Sequence, residues 1–162
     1  MMKIKILLLA IALGVSTLFT TQAVFAQENP STSFQVDHVA RGFEKIKERV
    51  TLFFKFSKDS KLDYLAYLSE KRLAELEYGV NNDVNLIEET ASRYTTYQGK
   101  LSEFVISNKM SDKKDPLSKM YSNHIAVLEK LQSKFEYDSG WWLSIQHGIN
   151  VNKEFKEKLS TI

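Results

Sequence analysis

The chain contains no cysteine, which excludes disulfide frameworks, thiolate zinc sites, iron–sulfur clusters and cysteine nucleophiles together. It also excludes the lipid-modified cysteine of a bacterial lipoprotein. Proline is almost as scarce, at two residues, and the six glycines fall mostly at breaks between apolar repeats. Little remains to build a phosphate-cradling glycine loop, and neither a Gly-x-Ser-x-Gly elbow nor a dinucleotide fingerprint occurs. Runs with strict two-residue alternation and β-branched enrichment are missing too, so no strand is expected.

The N-terminus supplies the strongest positive signal. Met1 to Lys5 is short and basic, Ile6 to Val15 is almost unbroken hydrocarbon, and Val24-Phe25-Ala26 precedes polar Gln27-Glu28-Asn29-Pro30. That order is the pattern of a secretory signal peptide. A spanning helix needs about 20 apolar residues, whereas Ser16, Thr17, Thr20, Thr21 and Gln22 dilute the second half of this stretch. Cleavage after Ala26 is therefore expected, and with it an exported protein, secreted or held in the cell envelope. Of 22 basic residues the cut removes Lys3 and Lys5, leaving 20 against 20 acidic ones. With a formal net charge of zero, the mature chain lacks the overall basic excess that attracts nucleic acid or an anionic membrane. The 136 residues that follow are enough for one domain with a real core.

Residues 27–33 read as a polar, mobile leader, and folding is expected from Phe34 onward, giving a domain over 34–162. Five amphipathic stripes follow. The first is Val36, Val39, Phe43, Ile46, Val50 and Phe53, in alternating steps of three and four. Ser57-Lys58-Asp59-Ser60 opens the second helix, whose stripe is Leu62, Leu65, Ser69, Leu73 and Leu76, with Gly79 expected as its left-handed cap. The third starts near Asn82-Asp83 and carries Val84, Ile87, Ala91, Tyr94, Gln98, Leu101 and Val105. After a polar hinge at 107–114, Asp115 as N-cap and Pro116 at the first helical position open the fourth: Leu117, Met120, His124, Val127, Leu128, Leu131 and Phe135. A break at Tyr137-Asp138-Ser139-Gly140 precedes the fifth, from Trp141 through Ile145, Ile149 and Phe155 towards Leu159. The fold class expected is all-α, an antiparallel bundle of four to five amphipathic helices with its stripes facing inward.

The stretch Phe53 to Tyr78, FFKFSKDSKLDYLAYLSEKRLAELEY, together with His124 to Leu131, resembles a family of exported bacterial all-helical domains of unknown function. The features shared are a helix ending in an aromatic run, a Ser/Asp break, and a helix carrying Glu70-Lys71-Arg72-Leu73-Ala74-Glu75-Leu76. Asp138-Ser139-Gly140-Trp141-Trp142 departs from that family's proline and alanine-rich turn. The resemblance implies secretion and a helical fold, and it brings no catalytic residue, ligand or cofactor.

No constellation points to catalysis. His38, His124 and His147 are far apart and lack the Glu-x-x-His spacing of helical di-iron sites, so no metal is expected, and His124 on its stripe reads as a core or boundary histidine. Glu88 and Glu89 diverge by about 100° on a helix, and Glu89 reads as the partner of Arg93. Glu70, Lys71, Arg72, Glu75 and Glu77 read as a solvated face with pairs such as Lys71 to Glu75. The aromatic residues are more suggestive. Phe53, Phe54 and Phe56 cannot share one helix face, and Trp141 and Trp142 diverge in the same way. The expected function is a non-enzymatic protein- or peptide-interaction module of the envelope or exterior, with Trp141 and Trp142 as its partner-binding candidates and with no cofactor. A structural envelope protein anchored by an uncleaved residue 3–26 segment is the alternative, and a small extracytoplasmic hydrolase the third reading.

Overall fold

The computed structural model describes Thr32 and residues 34–162. The expected signal peptide at 1–26 and all of the leader except Thr32 lie outside the described residues. Every regular element among the described residues is helical. α1 is Gly42–Phe53, α2 Lys58–Asn82, α3 Ile87–Ser107, α4 Lys114–Gln132 and α5 Gly140–Ser160, with short 3₁₀ turns at Val84–Leu86 and Ser111–Lys113.

Short polar side chains set the helix starts. The Ser57 hydroxyl accepts from the Ser60 amide at 3.1 Å, Asp83 accepts from the Asn85 amide at 3.0 Å, and the Ser139 hydroxyl accepts from the Trp142 amide at 3.2 Å. Each satisfies a donor that a helix opening leaves free. Two left-handed residues turn the chain between helices, Lys109 (φ 52°) after α3 and Asp138 (φ 64°) before α5.

Several boundaries differ from the sequence reading. The first helix begins at Gly42 rather than near Phe34, because the Arg41 amide donates to the Glu44 carboxylate at 2.9 Å and fixes the start there. Val36 and Val39 consequently belong to a non-helical lead-in. Gly79 is not a cap. It is buried inside α2, where a Cβ would stand 3.4 Å from the Leu86 Cβ and 3.5 Å from the Thr90 hydroxyl, so its value is close approach rather than backbone freedom. α4 begins at Lys114, following a 3₁₀ turn, which places Asp115 in the first turn rather than at the cap.

α2 packs along α3, α4 along α5, and α3 against α5, whereas α1 touches chiefly α2. The interior consists of two apolar clusters separated by a polar middle. One holds Leu73, Leu76, Ile87, Tyr94, Leu128 and Ile145, and the other Leu62, Leu65, Leu101, Val105, Leu117 and Leu159. Every long helix crosses from one cluster to the other through a buried polar residue: Ser69 in α2, Gln98 in α3, His124 in α4 and Asn152 in α5.

Candidate interaction surface

α1 is turned the opposite way from the sequence expectation. Phe43 is 80% exposed and Phe53 76%, with Ile46 and Val50 also exposed, while Glu48, on the reverse side, is buried. The stripe of the first helix thus faces solvent, and its carboxylate faces the protein.

The cause is a charge cluster on α2. The Arg72 guanidinium, fully buried, hydrogen-bonds both Glu48 and Glu75 and lies 5.2 Å from the centre of the Tyr97 ring. Lys71 donates to the other Glu48 oxygen at 2.7 Å, and Arg93 from α3 approaches Glu75 at 3.2 Å. Burial opposes the charge on Lys71, yet Glu48 more than offsets it and holds the ammonium pKa above its usual value. The cluster also grips the lead-in: the Ala40 amide donates to Glu75 at 3.1 Å, and the Ala40 carbonyl accepts from Arg93 at 3.4 Å. A buried carboxylate needs such partners, since an unpaired one costs several kcal/mol. Rotating α1 by half a turn would bury Phe43 and Val50 but strip Glu48 from Arg72. The charges therefore fix its orientation.

The solvated face read from sequence is overturned at its centre, because Arg72 and Glu75 are fully buried. The pairings change as well: Lys71 bonds Glu48 rather than Glu75, and Glu89 bonds Lys45 of α1 at 2.6 Å rather than Arg93. A signal was present in the chain. Leu68, Arg72, Glu75 and Gly79 follow steps of four and three, a second stripe of α2 that its neighbours cover on this side.

The exposed side of α1 continues beyond its end. Phe53, Phe54 and Phe56 form a chain of edge-to-face rings with centroids 5.4 and 6.2 Å apart, and Phe54 and Phe56 are 60% and 84% exposed. Four phenylalanines, an isoleucine and a valine together make a contiguous outward ridge of a kind that soluble surfaces rarely leave without a role.

At the other candidate site, the Trp141 ring packs on Phe135 at 5.6 Å and the Trp142 ring on Tyr137 at 4.8 Å. Trp141 remains 43% exposed, with exposed Tyr137 and Leu143 nearby in sequence, and Trp142 is half-buried. The structure does not bring this pair together with α1.

The buried polar middle is a hydrogen-bonded network around His124 that leaves Ser69 Oγ, Gln98 Oε1 and Asn152 Oδ1 without a partner among the described residues. Glu70 accepts from His124 Nε2 at 3.0 Å, Nδ1 of the same ring accepts from the Tyr94 hydroxyl at 2.9 Å, and the Gln98 amide, 2.5 Å from Nδ1, donates to the Tyr94 oxygen at 2.7 Å. The Tyr94 oxygen in turn accepts from Asn152 at 2.7 Å. His124 is buried with partners on both ring nitrogens, as its stripe position led us to expect. Ser102 and Tyr121 share a second hydrogen bond at 2.5 Å. Burial pushes the Tyr121 phenol up to about 12, and it pushes Tyr94 further in the same direction. Both phenols are thus held neutral in the folded chain, so their stabilisation is complete below pH ~10, the unfolded phenol pKa, and is lost as pH rises through the folded values. Urea unfolding followed from pH 9 to 12 is expected to lose about 2 kcal/mol to Tyr121 alone. Tyr121→Phe should reduce that slope and leave the part due to Tyr94.

Among the described residues no group of His, Asp and Glu is arranged to hold a metal, and no helix is long and apolar enough to cross a membrane. No protein-family model, curated protein or solved structure matches the chain.

Proposed function

We propose that the chain is an exported, all-helical, non-enzymatic module that works by presenting apolar surface to a partner at the cell envelope or exterior. On this reading residues 1–26 are a signal peptide, 27–33 a leader, and 34–162 an antiparallel bundle belonging to the family of exported bacterial helical domains of unknown function that its α2 and α4 sequences resemble. The order in which the four long helices visit the two apolar clusters, alternating in direction from α2 to α5, supports the antiparallel arrangement. The one observation that carries the functional reading is the outward phenylalanine ridge of α1, which a buried charge cluster holds away from the core. The commitment of Glu70, His124 and Tyr94 to one another inside the protein supports a structural rather than catalytic use of these groups.

Trp141 and Trp142, with Tyr137 beside them, are a smaller second face suited to a protein or peptide partner. Mass spectrometry of the exported chain should show loss of residues 1–26. Capture from envelope extract should recover a partner with the wild-type chain, and lose it when Trp141 and Trp142 become alanine or Phe53 and Phe54 become serine, with the thermal melt intact. If both variants capture everything that the wild type does, neither face is presented to a protein partner.

A further inference from the structure

We infer that the outward face of α1 docks on the surface of a bilayer containing anionic phospholipid. This rests on the reading of α1 as a working face and names what it faces. At about 100° per residue, Phe43, Ile46, Val50 and Phe53 occupy an arc opposite Glu48, and Phe54 extends it at the helix end. Lys47 lies about 40° beyond one edge of that arc at Phe43, and Arg49 about 40° beyond the other at Phe53. Apolar rings flanked on both sides by long basic side chains form the cross-section of an interfacial helix: the rings enter the headgroup boundary while the cations stay at phosphate level.

The local charge agrees. Residues 41–58 contain Arg41, Lys45, Lys47, Arg49, Lys55 and Lys58 against only Glu44 and Glu48. Glu48 is buried against Arg72, and Glu44 is engaged with the Arg41 amide and His38. Between α1 and α3 an open groove adds Arg93 and Lys100 to Lys45 and Arg49, with Glu89 the sole acid lining it. Residues 41–58 therefore carry a local excess of basic side chains, reduced by the Lys45–Glu89 pair and by exposed Asp37 and Asp59 at its ends, although the mature chain as a whole is formally neutral.

Shape and charge distinguish this occupant from the alternatives. A peptide helix or strand is normally received by a concave groove or a sheet edge, whereas α1 is a ridge ending in three projecting rings. A second copy would bring two basic rims together at the contact, where like charges repel. A planar anionic surface meets both the ridge and its rims.

Co-sedimentation of the purified mature chain with vesicles of phosphatidylcholine alone, and of an equal mixture with phosphatidylglycerol, tests the inference. Binding is expected to the mixed vesicles, weakening as salt rises. Phe53→Ser and Phe54→Ser should each reduce it about tenfold, and Lys47→Gln and Arg49→Gln about fivefold each, with unchanged circular dichroism and melting. Lys153→Gln, on an exposed part of α5, should bind like the wild type. Equal binding to both vesicle types would overturn the anionic assignment. Binding to neither would overturn the lipid inference while leaving α1 as a working face, provided that Phe53→Ser still loses a captured protein; if it loses none, both fall. A concentration-dependent dimer dissolved by Phe53→Ser would also overturn it, the ridge then being covered by a second copy.

Discussion

Methionine in place of Arg72 is expected to lower the free energy of unfolding by about 3–5 kcal/mol, the cost of breaking a buried ion pair from one side. The guanidinium is fully buried between Glu48 and Glu75, so its loss leaves two carboxylates facing each other in a dry site with Lys71 and Arg93 as their remaining cations. Methionine fills much of the volume, which separates the electrostatic cost from a cavity cost. The triple variant Arg72→Met, Glu48→Gln, Glu75→Gln should recover a large part of the loss, because the unpaired charges go with their partner. Urea unfolding of the single and triple variants checks both statements. A single-variant loss under about 1 kcal/mol, with amide exchange across residues 42–53 unchanged, would mean that the cluster is solvated and does not fix α1.

The second large effect is local. Glu48→Ala is expected to release α1 from the remaining helices, because few apolar contacts hold it there: Leu52 reaches the core from this helix, while Phe43, Ile46, Val50 and Phe53 face away. Its thermodynamic cost is capped by the free energy of undocking α1, after which Arg72 and Lys71 regain water. Amide hydrogen exchange should therefore speed up across residues 42–53 and the lead-in at Ala40, and change little in the centres of α3, α4 and α5. Uniform acceleration through all helices would instead make α1 an integral part of one cooperative unit.

The long helices were legible in the sequence because their stripes do one job. Leu62, Leu65, Leu73 and Leu76 in α2, and Ile87, Ala91, Tyr94, Leu101 and Val105 in α3, are all buried as their spacing requires. Periodicity records which residues share a face, but not which way the face points. Phe43, Ile46, Val50 and Phe53 do share a face, and what turns it outward is the pairing of Glu48 with Arg72, a contact between residues 24 apart in sequence. Arg72 and Glu75 were missed for a related reason. On an isolated helix unlike charges at this spacing read as solvated pairs, and only the covering of α2 by α1, the lead-in and α3 makes them interior. Gly79 misled because a glycine near a helix end is more often a cap than a contact point. The phenylalanines fared better: that Phe53, Phe54 and Phe56 could not share one buried face followed from their spacing alone, and all three are exposed.

Thiol labelling tests the outward orientation of α1 most directly, since a chain without cysteine gives every introduced thiol an unambiguous signal. Ile46→Cys and Val50→Cys are expected to react at about the rate of Lys58→Cys, at the exposed start of α2, and far faster than Leu65→Cys in the core. Protection of Ile46→Cys and Val50→Cys to the level of Leu65→Cys, in a monomer whose α1 is still helical, would contradict it.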